Sequence, residues 1–314
     1  MPDAPGQWRL ANGRSLTLDR ARILAIVNAT PDSFSDGGRF RDASHAADEA
    51  LRMLDEGADM LDIGGESTRP GAQSVDDAEQ IRRVVPIVER LRAMGCTAPI
   101  SVDTMRSAVA RAALDAGADA INDQSAGEDD PALLALVAER GVGGAGGAGL
   151  ILMHRLRRSS EDSFSTRYGR AGEAAPPSYD QSGGVVKAVR AYLAERLAAA
   201  LNAGISRDAL VLDPGLGFGK TVEQNLALVA SMSEFKTLGC PVLCAASRKS
   251  FVGRITGVDE PSERIEGSVA VAIAMRLSGA TLFRVHDIKV HRRALDMADN
   301  IRAARTGPIR PEGV

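Results

Sequence analysis

Polar side chains recur in this sequence directly after short apolar runs, at positions where they could act together on a ligand. The clearest case is segment 210–221, where an apolar run ends on Asp213 and three glycines follow around Phe218, with Lys220 and Thr221 at the end. Such a run is typical of a buried strand that leads into a tightly constrained turn. The same order returns along the chain and places polar residues at Asn28, Asp62, Asp103, Asn122, Asp123, His154, Asp213, Ser247, Arg248, Lys249, Arg284 and His286.

These residue types favour a flat heterocycle beside an anion. Carboxylates and amides pair with the N–H donors and carbonyl acceptors of such a ring, and Arg69, Arg284 and His286 suit a phosphate or pyrophosphate. Asn28 could hold Mg²⁺ next to that anion, because Mg²⁺ keeps waters and takes few protein ligands. A single aspartate after a strand often only caps the next helix, so the convergence of many polar residues carries the hypothesis.

Other kinds of catalytic site are less well supported by the sequence. The chain has no H-x-H pair or histidine-rich cluster of the kind that zinc and iron hydrolases need. Cys244 falls inside a predicted strand and not at its end, so the sequence does not favour cysteine catalysis. Lys220 lacks the G-x-x-x-x-G-K spacing of a phosphate-binding loop, and we expect it to have a structural role.

Eight strand–helix units are predicted to position these residues. The strands are expected at 22–28, 59–64, 99–103, 119–123, 150–154, 209–213, 241–246 and 281–286. The helices are expected at about 44–56, 75–94, 105–116, 131–140, 184–203, 222–232, 262–278 and 287–304. The strands are continuously apolar, as in parallel sheets covered on both faces. The pattern therefore predicts an α/β fold, a (β/α)8 TIM barrel, ahead of a Rossmann-like sheet, whose G-x-G-x-x-G fingerprint does not follow the first strand.

The domain organisation expected is one barrel with short additions. Residues 1–20 form an N-terminal segment whose β-hairpin, around Asn12-Gly13, caps the bottom of the barrel. Residues 21–305 form the single barrel, and 306–314 form a flexible tail. Residues 155–183 form a long loop, for which a mobile lid, an insertion and disordered decoration remain alternatives.

Composition predicts a soluble cytoplasmic protein. The chain has 314 residues, 44% of them hydrophobic and 25% charged, and a net charge of −3, which gives no general attraction to nucleic acid or membranes. We expect no signal peptide and no membrane span. The three cysteines are scattered as in a reduced protein. The helix near 265–277 is apolar around most of its circumference, which predicts a homodimer, with burial under a neighbouring helix as the alternative.

Eight motifs occur in the order and spacing of one known family. They are NATPDSFSDGG (28–38), GGESTRPGA (64–72), SVDT (101–104), IND (121–123), LMH (152–154), LDPGLGFGKT (212–221), SRKSF (247–251) and RVHD (284–287). The chain resembles the dihydropteroate synthase family over about residues 23–300. The resemblance implies a pterin-binding barrel and a transferase of folate biosynthesis that is a sulfonamide target. Its reaction joins 6-hydroxymethyl-7,8-dihydropterin pyrophosphate to p-aminobenzoate by an SN1-like displacement assisted by Mg²⁺.

The same resemblance implies roles for individual residues. The pterin would be bound by Asp103, Asn122, Asp213 and Lys249, with Arg284 over the ring and Met153 and Phe218 as apolar walls. The pyrophosphate would be held by Asn28 with Mg²⁺ and by Thr68, Arg69, Arg284 and His286. The aminobenzoate, or a sulfonamide, would lie by Phe34, Pro70 and Ser247. The catalytic residues implied are Asp36, Lys249, Arg284 and His286, with Asp36 as a partner of the carbocation or the metal.

Two alternatives remain at this point. One is a pterin-dependent methyltransferase that uses methyltetrahydrofolate and a corrinoid, which would need no pyrophosphate site. The other is a non-catalytic pterin-binding homologue, which would be expected to lack Asn28, Arg69, Lys249 or Arg284. The chain departs from the family pattern after His154, where the long loop begins, and at Gln124-Ser125-Ala126.

Overall fold

Eight parallel strands alternate with helices in the computed structural model, which describes residues 6–29, 39–66, 75–140, 147–156 and 178–306. A hairpin of β1 (Gln7–Arg9) and β2 (Ser15–Thr17) precedes them. The parallel strands are β3 (Arg22–Asn28), β4 (Met60–Gly64), β5 (Ile100–Asp103), β6 (Ala120–Asp123), β7 (Gly149–Met153), β8 (Leu210–Asp213), β9 (Leu243–Cys244) and β10 (Leu282–Val285). The helices are α1 (Arg39–Asp55), α2 (Asp77–Ala93), α3 (Ser107–Asp115), α4 (Ala132–Glu139), α5 (Val185–Asn202), α6 (Val222–Ala230), α7 (Met232–Lys236), α8 (Ser250–Thr256), α9 (Ile265–Ser278) and α10 (Ile288–Thr306).

The parallel strands close into a barrel. They are hydrogen-bonded in the order β8-β7-β6-β5-β4-β3-β10-β9. A parallel bridge between Leu212 of β8 and Val242, just before β9, brings the two ends of this sheet together. The predicted (β/α)8 barrel is therefore confirmed. Its strands all end at one edge, which we call the carboxyl-end rim.

The structure differs from the predicted elements mainly between residues 222 and 257. The strand predicted at 241–246 is only two residues long, and the basic loop after it contains the unpredicted helix α8. Helix α8 is short and ends at Gly257, which has a φ of 73°. Seven residues that include Gly253 and Thr256 are too few for an apolar period to show in the sequence. The helix predicted at 222–232 is interrupted at Ser231 and continues as α7.

The hairpin turns at the predicted dipeptide. Asn12 and Gly13 have φ values of 58° and 69°, as a type I′ turn requires, and Arg14 N–H donates to the carbonyl of Ala11 at 3.1 Å. This turn brings Trp8 of β1 opposite Leu16 of β2.

The hairpin packs into the lower end of the barrel. Strand side chains alternate between the barrel interior and the surrounding helices. An apolar inward layer packs with Trp8, Leu10 and Leu16 and consists of Leu24, Met60, Ala120, Ile151, Val211, Leu243 and Leu282. Trp8 is fully buried, and its Nε1 donates to the carbonyl of Ala209 at 2.9 Å. The amino-end interior is thus filled by apolar side chains.

A polar inward layer lies directly above this apolar one. Inward positions recur every second residue, so this layer lies two residues further along the strands. Its polar members include Asp62, Asn122, Asp213 and Arg284, and Met153 is an apolar residue at the same level. The barrel therefore presents charged and amide side chains above a dry floor.

The helices surround this barrel and pack on its outward-facing apolar side chains. Helix α6 begins with a capping box, in which Thr221 Oγ1 accepts from Gln224 N–H at 3.1 Å and Gln224 Oε1 accepts from Thr221 N–H at 2.9 Å. The cap fixes the chain just after the glycine-rich turn. Within the described ranges, no helix combines the length and the apolar character needed to span a bilayer.

Replacing Trp8 by alanine should reduce the free energy of unfolding by about 3–5 kcal/mol, because it leaves a cavity in the floor of the barrel. Urea denaturation would measure the change. Met94→Ala is the control, since Met94 is 45% exposed and its loss should change stability by less than about 0.5 kcal/mol. A similar small change for Trp8→Ala would contradict the packing described.

Candidate active site

Asp213 ends β8 at the carboxyl-end rim, where the glycine-rich turn folds back on it. Its side chain is buried, and Oδ1 accepts the N–H of Gly215 at 2.7 Å. Burial raises the pKa of Asp213, opposed by the Gly215 hydrogen bond and by the positive charges of Lys249, Lys220 and Arg284. The turn thus fixes the orientation of this carboxylate through one of its oxygens.

Two glycines of this turn are required by close approach. Gly215 and Gly217 have φ values of 68° and 78°. A Cβ on Gly215 would overlap the carbonyl oxygen of His154, and one on Gly217 would lie 2.9 Å from Cδ of Lys249. The absence of side chains lets the turn pack between the end of β7 and the stem of Lys249.

Two lysines lie on either side of the turn with different surroundings. Lys220 is fully buried, and its Nζ donates to the carbonyls of Gly215 at 2.7 Å and Phe218 at 3.0 Å. Lys220 therefore has the structural role expected from its spacing. Nζ of Lys249 lies 3.8 Å from the centroid of the Phe218 ring, a cation–π contact that places this amine beside Asp213's turn.

Arg284 connects two carboxylates across the polar layer. Its Nε donates to Asp62 Oδ2 at 2.5 Å, and its Nη2 donates to Asp103 Oδ2 at 2.9 Å. Burial alone would lower the pKa of Arg284, but the two carboxylates outweigh it and the pKa lies above the usual value. The guanidinium is a fixed positive charge inside the barrel.

Asp103 accepts hydrogen bonds from two side chains of this arrangement. Gln124 Nε2 donates to both of its oxygens at 3.0 Å, in addition to the bond from Arg284. Burial raises the pKa of Asp103 to about 7, the positive charge of Arg284 and the Gln124 bond oppose the shift, and the charge of Asp62 adds to it. Asp103 is therefore close to its titration point at neutral pH.

Ser247 and His286 form a second pair at the rim. Ser247 Oγ lies 3.0 Å from Nδ1 of His286 and also accepts the backbone N–H of His286 at 3.2 Å. Burial, with the charges of Arg248 and Arg284, lowers the pKa of His286 to about 3. The imidazole is thus neutral at physiological pH and offers a hydrogen bond rather than a charge to an anion.

Arg248, between Ser247 and Lys249, has a left-handed backbone with a φ of 60°. Its N–H donates to Ser268 Oγ at 2.9 Å, and its guanidinium pairs with Asp287 at 2.5 Å. A non-glycine residue in this conformation persists only where its surroundings hold it. These contacts hold the backbone of Arg248 in the loop that carries Ser247 and Lys249.

The structure describes ten of the predicted site residues. They lie on the rim or in the polar layer and are Asn28, Asp103, Asn122, Met153, Asp213, Phe218, Ser247, Lys249, Arg284 and His286. Direct contacts join Arg284 to Asp103, Lys249 to Phe218 and Ser247 to His286. The remaining predicted residues, Phe34, Asp36, Thr68, Arg69 and Pro70, lie outside the described residues.

Two of the predicted strand-end residues, His154 and Asp123, pack against or bond to other parts of the protein and so have structural roles. His154 is buried with its ring 4.9 Å from that of Tyr192, and burial with the charge of Lys220 lowers its pKa well below the usual value. Asp123 accepts from Ser125 N–H and Oγ at 2.7 Å and from Gly127 N–H at 2.5 Å. It caps its own loop, although burial raises its pKa to about 6.

Two buried polar residues that hold this site together, Ser101 and Gln124, were not among the predicted rim residues. They are hydrogen-bonded to Asp62 and Asp103, which were. Asp62 was predicted at the rim, as the one charged residue of β4, but was given no role toward a ligand. Nothing in the sequence indicated the bond from Gln124 to Asp103.

The described residues could bind Mg²⁺ only with few protein ligands. Asn28 is exposed at the end of β3 and offers an amide oxygen. The described part of the chain contains no group of three or more His, Cys, Asp or Glu side chains that could enclose a metal. An ion that keeps its waters and takes Asn28 beside substrate oxygens fits this donor set.

Comparison with known proteins identifies the family. The model of the pterin binding enzyme family matches residues 24–286. Dihydropteroate synthase from Mycobacterium leprae is 41% identical over 279 residues, which cover 87% of this chain and 91% of that protein. The chain belongs to the dihydropteroate synthase family. The Synechocystis member is 38% identical over 280 residues, or 89% of this chain and 90% of that protein.

Solved structures of the dihydropteroate synthase family share the fold. The enzyme of Xanthomonas albilineans with 4-aminobenzoic acid has a TM-score of 0.81 and 41% identity, and covers 96% of this chain and 100% of its own. The same enzyme with 7,8-dihydropteroate has a TM-score of 0.76 and 38% identity, over 95% of this chain and 100% of its own. A sulfonamide complex of the Yersinia pestis enzyme has a TM-score of 0.80 and 36% identity, and covers 95% of this chain and 98% of its own. The resemblance seen in the sequence is confirmed.

Proposed function

We propose that this chain joins 6-hydroxymethyl-7,8-dihydropterin pyrophosphate to p-aminobenzoate, giving 7,8-dihydropteroate and pyrophosphate in folate biosynthesis. The observation that carries the proposal is the set of buried polar side chains Asp103, Asn122 and Asp213 together with the partly buried Arg284, which is bonded to two carboxylates. These groups lie above an apolar floor in a chain of the dihydropteroate synthase family.

In this proposal the pterin ring binds edge-on to the carboxylates and amides. Asp213 accepts from the ring N–H and the exocyclic amine, because its two carboxylate oxygens have acceptor sites beyond the one that Gly215 N–H uses. Lys249 donates to the carbonyl side of the ring, and Asp103 and Asn122 bind its other polar edge. A ring with several donors and acceptors is therefore matched by groups of opposite hydrogen-bonding character.

The faces of the ring meet different side chains. Arg284 lies over one face, where its charge interacts with the ring electrons. Met153 and Phe218 are both buried and supply apolar walls. Because Lys249 packs on Phe218, this one contact positions both the apolar Phe218 ring and the Lys249 amine relative to the pterin.

The pyrophosphate is proposed to lie further out, toward the exposed end of β3. Arg284 and neutral His286 donate to it, together with Thr68 and Arg69 from the loop after β4. We assign the imidazole proton to Nε2, because Nδ1 then accepts from Ser247 Oγ. Asn28 would hold Mg²⁺, which when bound supplies positive charge to the leaving pyrophosphate.

The reaction is proposed to be an SN1-like displacement. The bond between the pterin methylene and the pyrophosphate oxygen breaks, and its electron pair leaves with pyrophosphate. The arylamine nitrogen then forms the new C–N bond and releases one proton to solvent. Arg284 and His286 stabilise the departing charge and the carboxylates hold the ring, so that catalysis is mainly electrostatic and positional. Asp36 is proposed as a partner of the cation or the metal.

The second substrate is proposed to bind by Phe34, Pro70 and Ser247. Ser247 is buried, and its hydroxyl bonds to His286, which links this subsite to the pyrophosphate side. Sulfonamides, which mimic p-aminobenzoate, are proposed to compete there. A sulfonamide complex of the Yersinia pestis relative supports this proposal.

The alternatives are less well supported. A non-catalytic homologue would be expected to have lost Asn28, Lys249 or Arg284, and all of them are present at the rim. A methyltransferase would have no use for the anion-binding side chains His286 and Arg69. We further propose a cytoplasmic location, which is supported by three free, buried cysteines.

The proposed activity is tested by mixing the protein with dihydropterin pyrophosphate, p-aminobenzoate and Mg²⁺. Dihydropteroate and free pyrophosphate should form in equal amounts. Asp213→Ala should abolish pterin binding, because each unpaired ring donor in a dry site costs about 1–3 kcal/mol. Calorimetry with 6-hydroxymethyl-7,8-dihydropterin would measure this loss.

Asp208→Ala is the matched control for Asp213→Ala, because Asp208 precedes the amino end of the same strand and pairs with Arg9 at 2.5 Å. It should retain pterin affinity. Unchanged affinity in Asp213→Ala would show that this carboxylate does not bind the ring. Methyl transfer to a corrinoid protein, without dihydropteroate formation, would refute the proposed function.

Pterin affinity should depend on pH through Asp103. Its pKa is about 7, and only the ionised carboxylate accepts from a ring N–H at either oxygen. Affinity for 6-hydroxymethyl-7,8-dihydropterin should therefore fall as the pH is lowered from about 8 to about 6, by at most about tenfold per unit. Calorimetry across this range would show the slope. In Asp103→Asn the slope should flatten, and an equally steep slope would assign it to another group.

We also propose a homodimer through α9 and α10. Helix α9 buries Ser268, Ala272, Met275 and Arg276 against its neighbours, whereas Ala270 and Ala274 are exposed. Along α10, Val290, Met297 and Ile301 are 46%, 63% and 43% exposed. We propose that these exposed apolar side chains form the contact between the two copies.

Analytical ultracentrifugation at micromolar concentration should give twice the mass of one chain. Met297→Glu should shift the species toward a single chain, because it buries a charge in the proposed contact. Met94→Glu, on α2's end, is the control and should stay dimeric. A single-chain mass for the unaltered protein would contradict the dimer.

A further inference from the structure

Asp62 is a fully buried carboxylate to which the proposed function assigns no contact with a substrate. Three side chains donate to it. Ser101 Oγ donates to Oδ1 at 2.6 Å, and Asn122 Nδ2 and Arg284 Nε donate to Oδ2 at 3.1 Å and 2.5 Å. Two of these donors, Asn122 and Arg284, belong to the proposed pterin site.

The bond from Arg284 restricts the plane of its guanidinium. Nε is engaged by Asp62 and Nη2 by Asp103, so one edge of the planar group is held by two carboxylates from adjacent strands. With only Asp103, the guanidinium could rotate about a single bond. Asp62 therefore supplies the second point that defines where Arg284 lies over the ring.

The bond from Asn122 determines which way its carboxamide faces. An ionised carboxylate can only accept, so the amide nitrogen of Asn122 must point toward Asp62. Its carbonyl oxygen then lies on the opposite side of the carboxamide. The same Oδ2 atom thus orients an acceptor on β6 and a cation on β10.

We propose that Asp62 is a positioning residue, which acts on the condensation through Arg284 and Asn122. This inference rests on the proposed function. Ser101 supports it by donating to Oδ1, which leaves Oδ2 for the two site residues. No bond to substrate is made or broken by Asp62 itself.

Asp62→Asn tests the inference, with Asp119→Asn as a matched control. Asp119 is equally buried and pairs with Arg14 at 2.8 Å and Arg92 at 2.5 Å, at the opposite end of the barrel. Both variants should lower the melting temperature. Only Asp62→Asn should lower kcat and the affinity for 6-hydroxymethyl-7,8-dihydropterin, by roughly 10- to 100-fold, as expected for misplaced groups. The KM for p-aminobenzoate should be unchanged in both variants.

A double-mutant cycle distinguishes positioning from general destabilisation. If Asp62 acts mainly through Arg284, adding Asp62→Asn to Arg284→Gln should change kcat by less than about threefold. Fully additive losses in kcat, or equal losses in Asp62→Asn and Asp119→Asn, would overturn the inference.

Ser101→Ala keeps all the charges of the site and tests the same inference if Asp62→Asn does not fold. Loss of its bond should lower pterin affinity by about threefold or more, and unchanged affinity and kcat would overturn the inference. If the unaltered protein bound pterin but formed no dihydropteroate, the proposed function would fail on that result alone. The affinity comparison between Asp62→Asn and Asp119→Asn would still decide the role of Asp62.

Discussion

The ion pairs of Arg284 are the constraint on which the rest of the site depends. A guanidinium held largely away from water is costly unless opposite charges and hydrogen bonds compensate it. Here the buried carboxylates of Asp62 and Asp103 do so from neighbouring strands, at 2.5 Å and 2.9 Å. The same contacts keep a positive charge inside the barrel, and that charge limits the rise that burial causes in the pKa of Asp103. Recognition of a ring and stabilisation of an anion therefore share one network.

This network depends on rigid packing below it in the barrel and in the turn beside it. Trp8 fills the lower barrel, so the polar layer begins at a defined depth above apolar side chains. On the opposite side, Lys220 donates to the carbonyls of the turn that carries Phe218. A fully buried amine with several carbonyl partners rigidifies such a turn. Preorganisation of this kind is what electrostatic catalysis needs, because charges must already lie where the transition state develops them.

The strand pattern was sufficient to predict the barrel and the polar residues at its rim, because apolar runs and the residues that end them are local features. Asp213 and Arg284 were found in this way. The pairing of Arg284 with Asp62 was not, since it joins positions 222 residues apart. Helix α8 was missed because seven residues show no clear period. The neutral state of His286 arises from burial and nearby arginines, which no local pattern records.

A crystal structure of the protein with dihydropterin pyrophosphate and Mg²⁺ would test this account most directly. We expect the ring donors within hydrogen-bonding distance of Asp213 and Asp103, and Arg284 over the ring with its Nε still bonded to Asp62. The pyrophosphate should lie between Asn28 and His286. A ring bound away from Asp213, or an Arg284 that has left Asp62 to bind the ligand, would contradict the central role given to the buried ion pairs.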